Sequence, residues 1–283
     1  MIARARRLQA WRLLARRPRK AWLGQRLAAV GSATRRGLTT LVEFAAFTAT
    51  VVALGSRRDS WRLPVRATFR HALHALVVRS VGTTLATGVL LGFALATQAV
   101  YWLEAAGQTG LIGRIIVLTL VREITPVVVG LIIFGRVGTS ILIDLAEARP
   151  KGWLQKMERL GMDPVALLVM PRVFGSAVGA FCLAVILIFS TLASGYLMAR
   201  TLGIIAYSIW DFSETVLRAT NVLDFVVPPA KCLVIGFAVT LVCCATGLAR
   251  RDENQELQRV VRSGFVRSAL AILLVNGLFD LIG

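Results

Sequence analysis

Acid is scarce in this chain. Fifteen Asp and Glu stand against 33 Lys and Arg, giving a net charge of +18 over 283 residues. Charge of either sign is missing altogether from Val81–Leu103, Val173–Ala199 and Cys232–Ala249. A soluble domain does not leave such stretches bare. Each approaches the roughly 20 apolar residues needed to cross about 30 Å of hydrocarbon. Soft ligands are few as well. His71 and His74 stand at i and i+3 with no third ligand near them, a weak metal signal, so no metal is expected. The cysteines, Cys182, Cys232, Cys243 and Cys244, all fall in apolar stretches and make no CxxC pair. They read as small core residues. HExxH, GxSxG and GxxxxGK[ST] are absent. The chain therefore lacks a zincin site, a nucleophile elbow and a P-loop, and is expected not to be an enzyme.

The basic excess invites a nucleic-acid reading, but its distribution argues against one. Residues 1–36 hold eleven Lys/Arg and no acid, and residues 57–80 hold six against one. Basic segments beside apolar spans mark the cytoplasmic face. Trp11, Leu14, Trp22 and Leu27 alternate with arginines, so residues 1–36 read as an amphipathic arm on the membrane surface rather than a signal peptide. Residues 37–80 read as an interfacial helix and a lead-in to the first span. If 37–56 crossed, one of two strongly basic segments would lie outside.

The pattern predicts an all-α polytopic membrane protein. Five spans run over about 81–103, 111–135, 173–199, 231–249 and 264–283. A connecting elbow over 136–171 is cytoplasmic, and a segment over 200–230 is outside. The N-terminus is then cytoplasmic and the C-terminus periplasmic. Gly88/Gly92 and Gly175/Gly179 are GxxxG pairs that allow close helix approach.

Within the second span, Arg122 and Glu123 interrupt the apolar run LVREITPVV. Each charge at mid-membrane depth costs about 2.5–3.5 kcal/mol, so each needs a partner or a wet cavity. Lys231 is the expected partner of Glu123, and Asn276 a further polar neighbour. Pro126 removes the N–H that would bond the Arg122 carbonyl, so a break is expected there.

The segments LTLVREITPVVVGLIIFGRVGTSILIDLAEA (118–148), MERLGMDPVALLVMPRVF (157–174) and SGYL (194–197) resemble the MlaE/YrbE-like permease subunits of ABC transporters that work with MCE proteins in lipid transport. Gly92 and Gln98 fit the first span of that family too. The resemblance implies five spans behind an interfacial helix. It also implies a second permease copy, an ABC ATPase carrying the ATP and Mg, an MCE-domain protein and a phospholipid substrate in a bacterial inner membrane. It places Gln98, Arg122, Glu123, Lys231 and Asn276 at the substrate cavity. It places Asp144, Glu147, Arg149, Met157, Glu158 and Asp163 at the ATPase. Pro126, Gly135, Arg136, Gly138, Pro164, Pro171 and Arg172 form its structural motif.

The chain departs from the family pattern where Lys151-Gly152-Trp153 replaces a T-E-Q, where Asp144 replaces Glu, and at RVVRSGFVR (259–267). Asn276 stands where the family carries an acid in the last span. Those departures leave two alternatives: a non-transporting anchor for the assembly, or the divergent half of a permease heterodimer.

Overall fold

The computed structural model describes residues 39, 42–57, 63–106, 119–148, 152–202, 210, 222–249 and 257–282. The expected basic arm, Arg149 and most of the outer segment 200–230 lie outside the described residues. By contacts the chain divides into two units, Met1–Thr50 and Val51–Gly283.

Among the described residues every regular element is helical. The first described helix, α1 (Val42–Ser56), is apolar and about 22 Å long. Helix α2 runs unbroken over Leu63–Ala106. The second rod begins with a π-helical turn (Leu120–Ile124) and continues as α3 (Thr125–Ile133). A second π turn (Phe134–Gly138) leads into α4 (Thr139–Ala148). The short helix α5 (Trp153–Arg159) and a third π turn (Val165–Val169) lead into α6 (Met170–Thr201). Helices α7 (Val222–Leu248) and α8 (Leu257–Ile282) complete the bundle.

Five rods are long and apolar enough to span a bilayer: Val65–Gln98, Leu120–Ala148, Val165–Thr201, Val227–Leu248 and Gln258–Leu281. They correspond to the five expected spans, but their bounds differ. The first starts well before residue 81, so residues 63–80 belong to the spanning helix. The second continues past 135 to 148, and the third starts at 165, which shrinks the elbow. The reason is physical. Hydropathy marks the part of a helix that lies in hydrocarbon. Arg66, Arg70, Asp144 and Glu147 are compatible with helix and carry it on into the headgroup layer.

The sequence LGMDP explains how the elbow turns back into the membrane. Gly161, at φ 72°, ends α5 in the left-handed conformation that glycine adopts without steric cost. Its N–H donates to Glu158 O (3.0 Å), and the Met162 N–H donates to Met157 O (3.0 Å). This pair of bonds is a Schellman motif. Asp163 then starts the next helix: its Oδ1 accepts from the Val165 N–H at 2.9 Å, with Pro164 following in the first turn. Asp163→Ala should cost about 1 kcal/mol of stability, read as a lowered unfolding midpoint.

Lipid tails are as apolar as leucine, so packing rather than water exclusion joins the spans. Both GxxxG pairs serve one interface, α2 against α6. A Cβ on Gly88 would strike Ser190 and the Leu187 carbonyl. One on Gly92 would strike Ser194 and the Thr191 carbonyl, and one on Gly179 would strike Leu76. Helix α7 is central, with 67% of its apolar window buried, whereas α8 is peripheral at 17%. The core joins Leu76, Val129, Ile133, Leu142, Leu183, Leu187, Ile235, Val239 and Ile272 from all five rods. Cys232 and Cys243 are buried in it as free thiols, and Cys244 is a further buried free thiol.

Candidate functional site

A lysine ammonium is the centre of the most polar part of the bundle. Lys231 lies on α7 with its side chain only 1% exposed. An ammonium has three N–H donors and no acceptor. Three acceptors meet it. Nζ stands 2.6 Å from Asp280 Oδ1, 3.0 Å from the Arg122 carbonyl and 3.4 Å from Glu123 Oε1. The donor count is thus fully used.

Each acceptor has a local cause. Pro126 cannot donate to the Arg122 carbonyl as an ordinary residue would in an α-helix, and Lys231 bonds that carbonyl instead. The break expected at Pro126 takes the form of the first π turn. It closes with Thr125, whose backbone N–H and Oγ1 both donate to Leu120 O, the hydroxyl at 2.8 Å. Glu123 belongs to that same turn. Asp280 comes from α8, where it lies four residues after Asn276 on one helical face. Asn276 Nδ2 donates to Glu123 Oε2 at 2.7 Å and to Asp280 Oδ2 at 3.4 Å. Three rods therefore meet through one lysine and one amide. The short Asp280 bond is in the charge-assisted range, and the longer Glu123 contact is weaker.

The two carboxylates also face outward, with side chains 41% (Glu123) and 42% (Asp280) exposed. Asn276 Oδ1 is buried and accepts no hydrogen bond within the described residues.

Lys231 stands in the first half of α7 (Val222–Leu248), and Asp280 in the last turn of α8 (Leu257–Ile282). The part of the expected second span before Thr119 lies outside the described residues.

Of the residues expected at the cavity, Glu123, Lys231 and Asn276 come together, and Arg122 joins them through its carbonyl. Gln98 does not: it is exposed on α2, and none of the cluster's hydrogen bonds reaches it. Asp280 is the residue that sequence reasoning missed. Its spacing from Asn276 was the available signal.

The elbow carries a second set of positions. Asp144 and Glu147 are exposed on α4, Glu158 is exposed on α5, and Met157 is half-buried there. Asp144 reaches across to Arg172 at the start of α6, Oδ2 to Nη2 at 3.7 Å. Arg136 Nη2 donates to the Arg79 carbonyl at 2.6 Å, clipping the second rod to α2. Gly138 is a close-approach position, since a Cβ there would lie 3.0 Å from Cys243 Sγ, whereas Gly135 faces open space. Pro171, like Pro126, is buried just behind a π turn. Trp153, Leu160 and Met162 expose apolar surface around α5, at 63%, 73% and 41%.

Comparison with known proteins agrees with this architecture. The family described as Permease MlaE matches residues 69–282. A probable ABC transporter permease protein of Rickettsia prowazekii is 30% identical over 190 residues, covering 65% of this chain and 71% of its own length. The intermembrane phospholipid transport system permease protein MlaE of Haemophilus influenzae is 23% identical over 204 residues, or 71% of this chain and 77% of that one. The chloroplast protein trigalactosyldiacylglycerol 1 of Arabidopsis thaliana is 24% identical over 199 residues, or 70% and 56%. The matched region takes in four of the five apolar rods whole and most of the first, together with the Lys231 cluster and the elbow: this chain belongs to the MlaE permease family.

Proposed function

We propose that this chain is the membrane permease subunit of an ABC-type phospholipid transporter. In this reading a separate ATPase supplies the ATP chemistry, an MCE-domain protein handles lipid outside, and a second permease copy completes the pathway in a bacterial inner membrane. The observation that carries it is the Lys231 cluster inside a bundle of this family. A charged group bridging three rods, with its carboxylates left open, suits a site where a polar headgroup enters an apolar wall.

The coupling elbow gives the reading its moving part. Helix α5 projects Trp153 and Leu160 into water, and exposed aromatic anchors of this kind are characteristic hot spots of protein contacts. ATP-driven closure of the ATPase would push α5. Through the Asp144–Arg172 contact the push reaches the second and third rods, and Glu123 rides on the second. In this reading the elbow and the N-terminus, beside the basic segments, lie in the cytoplasm, and the C-terminus lies toward the periplasm.

The direct test is purification of the tagged full-length chain from its own membranes, followed by subunit identification and reconstitution. An ATPase and an MCE-domain protein should co-purify, and labelled phospholipid should move on ATP addition. An assembly that hydrolyses ATP without moving lipid would favour the anchor reading instead. Replacing Trp153 and Leu160 together by aspartate should cut ATPase co-purification at least about tenfold, as expected when a hot spot worth about 2 kcal/mol is lost.

A further inference from the structure

Hydrogen-bond accounting at the Lys231 cluster points to the chemistry of the headgroup; this step rests on the transport reading above. Lys231 has no donor left, because its three N–H groups meet Asp280, Glu123 and the Arg122 carbonyl. The Asn276 amide group spends its N–H donors on Glu123 and Asp280. What these four side chains leave over is all of one kind. Glu123 and Asp280 are each about two-fifths exposed, and Asn276 Oδ1 has no donor among the described residues. Every remaining hydrogen-bonding position on them is an acceptor. A buried lysine beside a lipid pathway would ordinarily suggest a phosphate site. Here the lysine is enclosed and turned inward, and the open face is carboxylate.

We infer that Glu123 and Asp280 select a lipid headgroup bearing a primary ammonium, such as ethanolamine, over headgroups that carry no N–H donor. A primary ammonium offers three donors to the two carboxylates. A trimethylammonium keeps the charge and offers none. A glycerol headgroup offers hydroxyl donors but no charge, and its phosphate leaves the lipid anionic beside two acids.

The test needs no variant at first. The full-length chain is placed in nanodiscs containing equal parts of phosphatidylethanolamine, its mono- and dimethyl forms, phosphatidylcholine and phosphatidylglycerol. Lipid retained on the protein is then read by native mass spectrometry. Retention should fall stepwise with each methyl, by about tenfold from the primary amine to the trimethyl form, the loss expected for hydrogen bonds to charged groups. Glu123→Gln and Asp280→Asn should each flatten that series. Equal retention of all five lipids, or preference for phosphatidylglycerol, would overturn the assignment. Free ethanolamine added to the same discs separates the sources: full displacement with no graded lipid series would assign the site to a soluble amine and overturn the lipid assignment. Failure here is distinct from failure of the transport reading. Flux that occurs at equal rates for amine and choline lipids rejects only the selectivity, whereas graded retention without any flux rejects only the transport.

Discussion

Replacing Lys231 with methionine is expected to abolish lipid flux and to destabilise the bundle. The substitution keeps much of the volume but removes the single cation that Asp280, Glu123 and the Arg122 carbonyl share. Breaking a buried ion pair from one side costs about 3–5 kcal/mol, because the partner stays charged and unpaired. Here the two carboxylates are each about two-fifths exposed, so water relieves part of the cost and the lower end, about 3 kcal/mol, is expected. The sharper result comes from neutralising the whole group. Lys231→Met combined with Glu123→Gln and Asp280→Asn leaves no unpaired charge. Its unfolding midpoint in detergent should return most of the way to wild type, since fully replaced ion groups are often neutral for stability. Flux should stay absent. Recovery of both would make the cluster structural only.

The second large effect is steric. Gly92→Leu should prevent the bundle from assembling, leaving aggregated protein on gel filtration. Its Cβ alone would overlap Ser194 Oγ and the Thr191 carbonyl, and backbone cannot move aside as a side-chain end can. Gly82→Leu and Gly277→Leu provide the contrast. Among the described residues nothing lies within 4 Å of a Cβ at either position, so both variants should elute as wild type. Equal behaviour of all three variants would remove the close α2–α6 contact from the account.

Much of this architecture could be read from the residues. Charge-free stretches located three of the five spans, and apolar runs broken by few charges the other two, because hydrocarbon tolerates little else. The Glu123–Lys231 pairing followed from there being few cations at membrane depth, and the structure makes that pair. Gly161 and Asp163-Pro164 have the chemistry of a helix stop and a helix start, and the elbow uses both. Other features were hidden for physical reasons. Span ends were misplaced because arginine and glutamate extend a helix beyond the apolar slab. The GxxxG pairs announced close packing, but spacing along one helix does not say which neighbour it meets; both pairs turned out to share the α2–α6 seam. Asp280 escaped notice because an acid near the end of a span is ordinarily solvated. Only the fold reveals that the last turn of α8 lies beside α7 at Lys231, which brings Asp280 onto a buried lysine. Gln98 stands out in sequence as a polar residue in an apolar run, and on α2 it is exposed and apart from the Lys231 cluster.

The most direct measurement is ATP-driven movement of labelled phospholipid in proteoliposomes holding the purified assembly, with wild type and Asp280→Asn compared side by side. Asparagine keeps the shape of Asp280 and removes the charge that bonds Lys231 at 2.6 Å. The account predicts robust flux in wild type and at least about a tenfold loss in the variant, the effect of one charged hydrogen bond, with the subunits still bound together. Flux at the wild-type rate from Asp280→Asn would contradict it.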